Sequence, residues 1–172
     1  MDIVARVLHW DERLCVKMNR ALRYTAVTPF FRAMSWLGNG IFWYALILAF
    51  LVRDGAGGVP AVLHMILVGV ACTTIYKILK RGTLRPRPYE VVQAVAPGAA
   101  VLDNFSFPSG HTLHAVAFSL VASAYYPALA IPLAVVTLLT AASRVVLGLH
   151  YPSDVLAGAA IGATLAGLSF GI

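Results

Sequence analysis

The chain has 172 residues, the size of one domain, and it is 60% hydrophobic but only 12% charged. Soluble domains carry about 25% charged residues, so this composition excludes an ordinary soluble protein. The net charge of +6 comes mainly from two clusters, and their positions in the chain do not suggest a nucleic-acid partner.

The first segment, residues 1–32, mixes apolar side chains with six of the thirteen cations. Alternation of this kind favours one or two amphipathic helices that lie in the membrane interface, with Trp10 and the arginines at headgroup depth. The cations suit anionic lipid headgroups. We therefore predict that 1–32 is an interfacial segment and that the lipid bilayer is a partner.

Long runs without charge follow this segment; between Asp103 and Arg144 there is no Asp, Glu, Lys or Arg. About 20 apolar residues are needed to cross a hydrocarbon core of roughly 30 Å. We predict one all-α domain over 1–172, with a polytopic transmembrane bundle at 33–172. Its spans, about five in number, fall near 33–52, 59–79, 110–126, 128–148 and 152–172.

The loop at 80–108 contains four prolines and five nearby cations, and we predict that it forms the active-site loop. With an odd number of spans, this loop and the turn at 149–152 emerge on the same face as the N-terminal segment. The turns at 53–58 and 126–128 then lie on the opposite face. Nearly every charged residue is therefore expected on one face of the bundle.

Three stretches that meet on this face describe an anion site. Ionisable residues at membrane depth are costly and indicate function. Guanidinium groups match phosphate oxygens two at a time. A helix that opens at Ser109-Gly110 directs its free N–H groups and its dipole toward an anion. The residues concerned are Lys80 and Arg87, then Ser109, Gly110 and His111, then Arg144, His150 and Asp154.

The pattern Lys-x6-Arg-Pro, Pro-Ser-Gly-His and Ser-Arg-x5-His-x3-Asp resembles the three-part signature of the type 2 phosphatidic acid phosphatase family. That family includes lipid phosphate phosphatases, undecaprenyl pyrophosphate phosphatases and haloperoxidases. Every signature residue is present, in order and at the family spacing, within residues 80–154.

The resemblance implies a role for each of these residues. His150 is expected to attack phosphorus, Asp154 to orient it, and His111 to protonate the leaving oxygen and then activate water. The phosphoryl oxygens are expected to be held by Lys80, Arg87, Ser109, Gly110 and Arg144. No metal and no cofactor is expected, and the seven carboxylates of the chain suggest no metal cage.

Three further residues are candidates for supporting roles. His114 lies one turn after His111 and is expected to pack or hydrogen-bond, although substrate contact is an alternative. Arg81 and Arg85 either touch a second phosphate or meet lipid headgroups, and we favour the headgroups. The stretch 103–105 either lines the pocket mouth or is a plain turn.

The expected function is metal-independent hydrolysis of a lipid phosphate or pyrophosphate through a phosphohistidine. A polyprenyl pyrophosphate is the first candidate substrate, followed by phosphatidylglycerophosphate or phosphatidic acid. The alternatives are a lipid phosphotransferase that uses the same intermediate, and a catalytically silent scaffold. A haloperoxidase is disfavoured because those relatives are soluble.

The expected location is the bacterial inner membrane. Many relatives have six spans, whereas five are predicted here, so the orientation does not follow directly from the resemblance. The positive-inside rule favours a cytoplasmic active site because of the Arg-rich N-terminal segment. The resemblance favours an active site on the periplasmic face, and we expect this orientation.

Overall fold

The computed structural model describes residues 3–101 and 103–171. Four residues of the predicted segments lie outside this description: Met1, Asp2 and Ile172 at the chain ends, and Leu102 in the predicted loop. The described residues form helices and no strand. The helices are α1 Ile3–Asn19, α2 Val27–Trp36, α3 Phe42–Asp54, α4 Val59–Thr83, α5 Pro88–Val91, α6 Gly110–Tyr125, α7 Ala130–Val146 and α8 Pro152–Ser169. This confirms the all-helical class.

Prolines and charge-free runs explain most of these boundaries. Pro60 and Pro152 lie in the first turn of α4 and α8, where a missing N–H costs no hydrogen bond. Pro127 begins the 3₁₀ turn that separates α6 from α7. The last four predicted helices therefore lie within a few residues of their expected positions.

The first predicted span, 33–52, is wrong in both its start and its continuity. Helix α2 already begins at Val27, inside the segment predicted to be interfacial. The guanidinium of Arg32, which lies on this helix, donates to the carbonyl of Gly98. The path then breaks at Asn39 and Gly40 before α3 starts. Gly40 has φ +104°, a conformation that favours glycine.

Helix α6 lies in the centre of the bundle and packs against α4, α7 and α8. A Cβ on Gly158 would come within 2.6 Å of the Ser109 carbonyl oxygen, and one on Gly162 within 2.3 Å of that of Leu113. These two glycines therefore allow the close contact of α8 with α6. Gly167 has no atom within 4 Å of such a Cβ, so it takes no part in this contact.

The helices place two sets of connections at opposite ends of the bundle. At the loop end, defined by residues 80–109 and 147–152, the Ser109 amide donates to the Asp154 carbonyl at 3.0 Å. At the far end, defined by residues 53–58 and 125–128, the Tyr126 hydroxyl donates to the Asp54 carboxylate at 2.7 Å. The charged loop and the turn after α7 thus share one end.

The outer surface of the bundle is apolar. Large hydrophobic side chains are exposed on α3, α4, α7 and α8, including Leu48, Val52, Leu67, Ile78, Ile131, Leu138, Leu156 and Leu168. Two helical runs, 27–91 and 127–146, are long and apolar enough to cross a membrane. A surface this apolar is typical of contact with lipid or protein.

Helix α1 packs on the loop end through one narrow face. Asp11, Cys15 and Asn19 are buried at intervals of four residues. The Asn19 amide donates to the carbonyls of Ala96 and Val146, at 2.9 and 3.0 Å. The amphipathic helix predicted here is therefore held by polar contacts as well as by its apolar residues.

Candidate active site

A cavity of about 560 Å³ extends from the loop end into the bundle, and its lining changes from charged to apolar along its length. Its polar part is lined by Tyr76, Lys80, Arg87, Asp103, Gly110, His111, His114, Arg144 and His150. Its apolar part includes Trp43, Ile47, Met65, Ile66, Val70 and Phe118. Four of the five predicted phosphate ligands and both predicted histidines therefore line one cavity.

The turn between α7 and α8 fixes the distance from Arg144 to His150. The amides of Leu149 and His150 both donate to the Arg144 carbonyl, at 3.0 and 3.1 Å. Gly148 has φ +70°, and a Cβ there would come within 2.7 Å of Val95. The five residues between Arg144 and His150 therefore form one tight helix end, and this turn requires a glycine at position 148.

His150 is 2% exposed, and its two ring nitrogens have different environments. Nδ1 lies 2.6 Å from the Ser106 carbonyl oxygen, which can only accept, so Nδ1 carries the proton. Nε2 lies 3.5 Å from a guanidinium nitrogen of Arg87. Burial, followed by the charges of the neighbouring cations, holds the pKa of His150 well below its usual range. The ring is therefore neutral, with its lone pair on Nε2.

Asp154 is fully buried at the start of α8, but its main partner differs from the expectation. One oxygen accepts from Arg85 at 2.5 Å and the other from the Tyr151 amide at 2.8 Å. The second oxygen is 3.8 Å from Nδ1 of His150, beyond hydrogen-bonding distance. The Ser106 carbonyl therefore takes the hydrogen bond from Nδ1 that was expected of Asp154.

Lys80 and Arg87 share one carboxylate. Arg87 donates to Asp103 Oδ1 at 2.7 Å and to the Leu149 carbonyl at 2.6 Å. Lys80 pairs with the same oxygen of Asp103, and Tyr76 donates to the other at 2.6 Å. Burial opposes ionisation of Asp103, but these hydrogen bonds and charges outweigh it and lower its pKa to about 2. Of the stretch 103–105, Asp103 lines the cavity, whereas Asn104 and Phe105 do not.

Arg144 is 4% exposed and donates to the hydroxyl of Ser35 on α2. Its Nε has no hydrogen-bond partner among the described residues. No carboxylate in the described part of the chain forms an ion pair with it. A buried guanidinium without a countercharge is costly, and an anion in the adjoining cavity would relieve that cost.

The start of α6 supplies His111 and Gly110 to the cavity, but not Ser109. The Ser109 hydroxyl is 3.0 Å from that of Thr112, and Ser109 is completely buried. Ser109 therefore lies behind the cavity wall, as part of the helix start. At Gly110 a Cβ would come within 2.7 Å of the Tyr76 ring, so glycine is required here by packing.

The supporting residues have three different environments. His114 lines the cavity, but its ring nitrogens contact the Gly110 carbonyl at 2.8 Å and the Thr73 hydroxyl at 3.1 Å, which agrees with the supporting role. Arg81 is exposed and does not line the cavity. Arg85 does not line the cavity, and its guanidinium pairs with Asp11 and Asp154.

The sequence interpretation missed Ser106 and Asp11, and it left Asp103 undecided. Ser106 acts through its backbone carbonyl, which no residue pattern reveals. Asp11 carried a signal, because it shares one helix face with Cys15 and Asn19 at intervals of four residues. That spacing of four could have indicated a docked face.

Two relatives found by comparison with known proteins are named as phosphatases. Undecaprenyl-diphosphatase BcrC of Bacillus subtilis is 35% identical over 130 residues, which are 74% of this chain and 65% of that protein. Decaprenylphosphoryl-5-phosphoribose phosphatase of Mycobacterium tuberculosis is 39% identical over 89 residues, 51% of this chain and 48% of that protein. The chain thus matches less than two thirds of the length of either relative.

Two crystal structures have the same fold. A transmembrane PAP2-type phosphatidylglycerolphosphate phosphatase from Bacillus subtilis has a TM-score of 0.78 and 28% identity, over 96% of this chain and 85% of that one. LpxE of Aquifex aeolicus has a TM-score of 0.76 over 95% and 96% of the two chains, and at 24% identity it shows the fold alone. The family model described as the PAP2 superfamily matches residues 58–172, most of the chain, and the protein therefore belongs to that superfamily.

Proposed function

We propose that this protein is an integral membrane phosphatase that hydrolyses a lipid phosphate or pyrophosphate through a phosphohistidine on His150. One observation carries the proposal: the unprotonated Nε2 of His150 lies beside Arg87 in a cavity whose other part is apolar. A substrate that fits both parts has a phosphate at one end and a hydrocarbon chain at the other. The relatives named above are lipid phosphatases, which supports the same class.

In the first step, Nε2 of His150 forms a bond to phosphorus while the bond from phosphorus to the lipid oxygen breaks. His111, which lines the same cavity, gives a proton to the leaving oxygen. In the second step, water attacks the phosphohistidine, His111 takes a proton from it, and the N–P bond breaks. Inorganic phosphate leaves and the imidazole is regenerated.

The cations Lys80, Arg87 and Arg144 hold the phosphoryl oxygens during both steps. Asp103 already binds two of these cations, so a phosphoryl group must share them with its carboxylate or replace it. Arg144 differs from the other two because no carboxylate pairs with it among the described residues, and it is therefore the cation most available to the substrate.

The hydrocarbon chain is proposed to pass between α3 and α4. Tyr44, Ile66 and Val70 line the cavity and are also 73%, 46% and 61% exposed on the outer surface. A lipid can therefore enter sideways from the bilayer. Polyprenyl pyrophosphate is the first substrate to test because the two sequence relatives are named for polyprenyl substrates. Phosphatidylglycerophosphate and phosphatidic acid come second.

The membrane arrangement is proposed as a single domain with five spans in the bacterial inner membrane, with the loop end toward the periplasm. The first span is α2 with α3, and α4, α6, α7 and α8 form the other four. Cys15 and Cys72 are buried, so an introduced cysteine can be labelled selectively.

Gly82 at the loop end and Gly57 at the far end are exposed positions for this test. A membrane-impermeant maleimide applied to spheroplasts should label Gly82→Cys and leave Gly57→Cys unlabelled until the membrane is opened. The reverse result would place the site in the cytoplasm. Labelling of both in sealed spheroplasts would contradict the five-span arrangement.

The activity is tested with purified protein in detergent and EDTA, by measuring phosphate release from the three lipids. His150→Ala is the test variant, and His9→Ala on the exposed side of α1 is the matched control. We expect the wild type and His9→Ala to release phosphate, His150→Ala to be inactive, and an acid-labile phosphoprotein to accumulate only when His150 is present.

Equal release by His150→Ala would reject the mechanism. Phosphoprotein formation without phosphate release, relieved by an added lipid or sugar acceptor, would identify a phosphotransferase instead. The fastest lipid of the three names the substrate class.

A further inference from the structure

Asp11 is a buried carboxylate outside the region that matches the family model. It lies on α1, is 0% exposed, and is fixed by three donors on two other segments. The Ser153 amide donates to it at 2.8 Å, the Ser153 hydroxyl also donates, and Arg85 donates at 2.8 Å. A carboxylate is rarely buried so completely unless it is paired. Contact of α1 with the membrane interface does not explain why Asp11 is buried and paired in this way.

Arg85 connects Asp11 to the predicted catalytic residues. One guanidinium nitrogen contacts Asp11, and the other contacts Asp154 at 2.5 Å and the Ser153 hydroxyl at 2.8 Å. The group also lies over the Tyr151 ring, 4.1 Å from its centroid. A planar guanidinium can hold two carboxylates in this way, whereas an ammonium cannot reproduce the fork.

The backbone of Arg85 provides a second connection. Its carbonyl accepts from the Ser106 amide at 2.8 Å, and the Ser106 carbonyl accepts from Nδ1 of His150 at 2.6 Å. Residue 85 therefore holds both groups next to Nδ1: Ser106 through its main chain and Asp154 through its side chain.

The charges of this cluster do not cancel. Asp11 and Asp154 carry two negative charges and Arg85 carries one positive charge, which leaves one negative charge near His150. Asp154 Oδ2 is 3.8 Å from Nδ1 of His150. When Nε2 bonds to phosphorus and Nδ1 keeps its proton, the ring becomes positively charged. The excess charge then lies where it stabilises that ring.

We propose that Asp11 and Arg85 are positioning residues for His150, which link helix α1 to the nucleophile and supply the excess negative charge that stabilises its phosphorylated ring. The proposal rests on the proposed role of His150. It also gives α1 a part in catalysis, since Asp11 shares its buried face with Cys15 and Asn19, which fix that helix on the loop end.

The first test is Asp11→Asn, which keeps the shape of the side chain and removes the excess charge. The matched control is Glu12→Gln, an exposed carboxylate on the same helix. We expect kcat of Asp11→Asn to fall about 10- to 100-fold, as for other outer contacts of an active site, with KM within about twofold of the wild type. Glu12→Gln should match the wild type in both.

The second test distinguishes charge from structure. The double variant Asp11→Asn with Arg85→Gln removes one charge of each sign and leaves Asp154 as the excess charge. We expect its kcat to recover at least about threefold relative to Asp11→Asn, although it has lost more hydrogen bonds. A merely structural role predicts a further loss, and that result would overturn the proposal.

Arg85→Lys is the third variant and covers the case in which Asp11→Asn does not fold. It keeps the charge but cannot reproduce the planar fork that holds Asp11 and Asp154 together, so we expect a lower kcat and an unchanged KM. A rise in KM with unchanged kcat in either single variant would also overturn the proposal, because it would indicate a contact to substrate or membrane.

His150→Ala is measured in the same series. If it keeps full activity, the proposed function itself fails. If it is inactive while purified Asp11→Asn and Arg85→Lys have wild-type kcat, only the positioning role fails.

Discussion

The two ends of the bundle handle charge in opposite ways. At the loop end, Arg87 and Asp154 are almost completely buried, and each has several partners from other segments. At the far end, the Arg53 side chain is 72% exposed, and it pairs at 3.5 Å with its neighbour in sequence, Asp54. Exposed pairs of this kind contribute little to stability. Among residues 3–101 and 103–171, charged side chains are therefore buried only at the end that contains the cavity, where they shape the site.

The sharpest way to test this difference is to make the same substitution at both ends. Arg87→Lys keeps a positive charge but loses the fork that holds Asp103 and the Leu149 carbonyl. We expect phosphate release to fall about 100-fold, as for loss of one preorganised donor. Arg53→Lys at the far end should change activity by less than about twofold. Similar effects of the two substitutions, in assays of the purified variants, would refute the distinction between the ends.

The second prediction concerns the contact of α8 with α6 toward the loop end. Gly162→Ala would place a methyl group 2.3 Å from the Leu113 carbonyl oxygen and force the helices apart. We expect the free energy of unfolding to fall by about 1–3 kcal/mol, measured by denaturant titration in micelles. Gly167→Ala, on the same helix but in open space, should be neutral or slightly stabilising. Equal stability of the two variants would contradict the close packing.

A third prediction addresses competition for the cations at the loop end. Asp103→Asn removes a negative charge from Lys80 and Arg87, so inorganic phosphate should bind more tightly. We expect its inhibition constant to fall about three- to tenfold, a gain of roughly 1 kcal/mol. Asp54→Asn, the matched carboxylate at the far end, should leave the constant unchanged. Weaker inhibition in Asp103→Asn would mean that this carboxylate mainly holds the cations in place.

The pKa of Asp103 also predicts how the effect of Asp103→Asn on the inhibition constant depends on pH. The pKa of Asp103 is lowered to about 2, so its carboxylate stays ionised at every pH above about 4. With sulfate as the inhibitor, whose charge does not change in this range, the ratio of the inhibition constants of wild type and Asp103→Asn should therefore be constant from pH 5 to pH 8. A ratio that approaches one as the pH falls toward 5 would show that Asp103 becomes protonated in this range.

The smallest effect on stability and activity is expected from a substitution at the far end. Tyr126→Phe removes the hydrogen bond to Asp54 but keeps the ring stacked on Phe50, whose centroid is 4.0 Å away. We expect a loss of less than about 0.5 kcal/mol in the free energy of unfolding and no change in phosphate release. A loss above 1 kcal/mol in the same micelle titration would show that this end also contributes to folding.

The sequence predicted the helices whose ends are marked by proline or by charge, such as α4 and α8. It also predicted His111, Arg144 and His150 in the cavity, because their motifs combine costly residues at membrane depth. It did not predict the break at Asn39 and Gly40, since a continuous apolar run contains no charge that marks a helix end. The depth of each residue in the bilayer is likewise not encoded in such a run.

Pairs that are far apart in sequence were also missed. Asp11 and Arg85 are separated by 74 positions, and only the packing of α1 onto the bundle brings them together. The same packing explains why Arg85, which looks like one more basic loop residue, pairs with two carboxylates. Ser106 shows a further limit, because its backbone carbonyl replaces the side chain expected at Nδ1 of His150.

The break between α2 and α3 has a consequence for water. Asn39 and Gly40 line the cavity, and their backbone departs from helical geometry. Within a bilayer, backbone of this kind is tolerated only where protein covers it or water reaches it. The cavity wall at this break therefore offers main-chain groups that can bind water, and no side-chain substitution removes them. If the proposed phosphohistidine forms on His150, the path of the chain itself provides a place for the water that cleaves it.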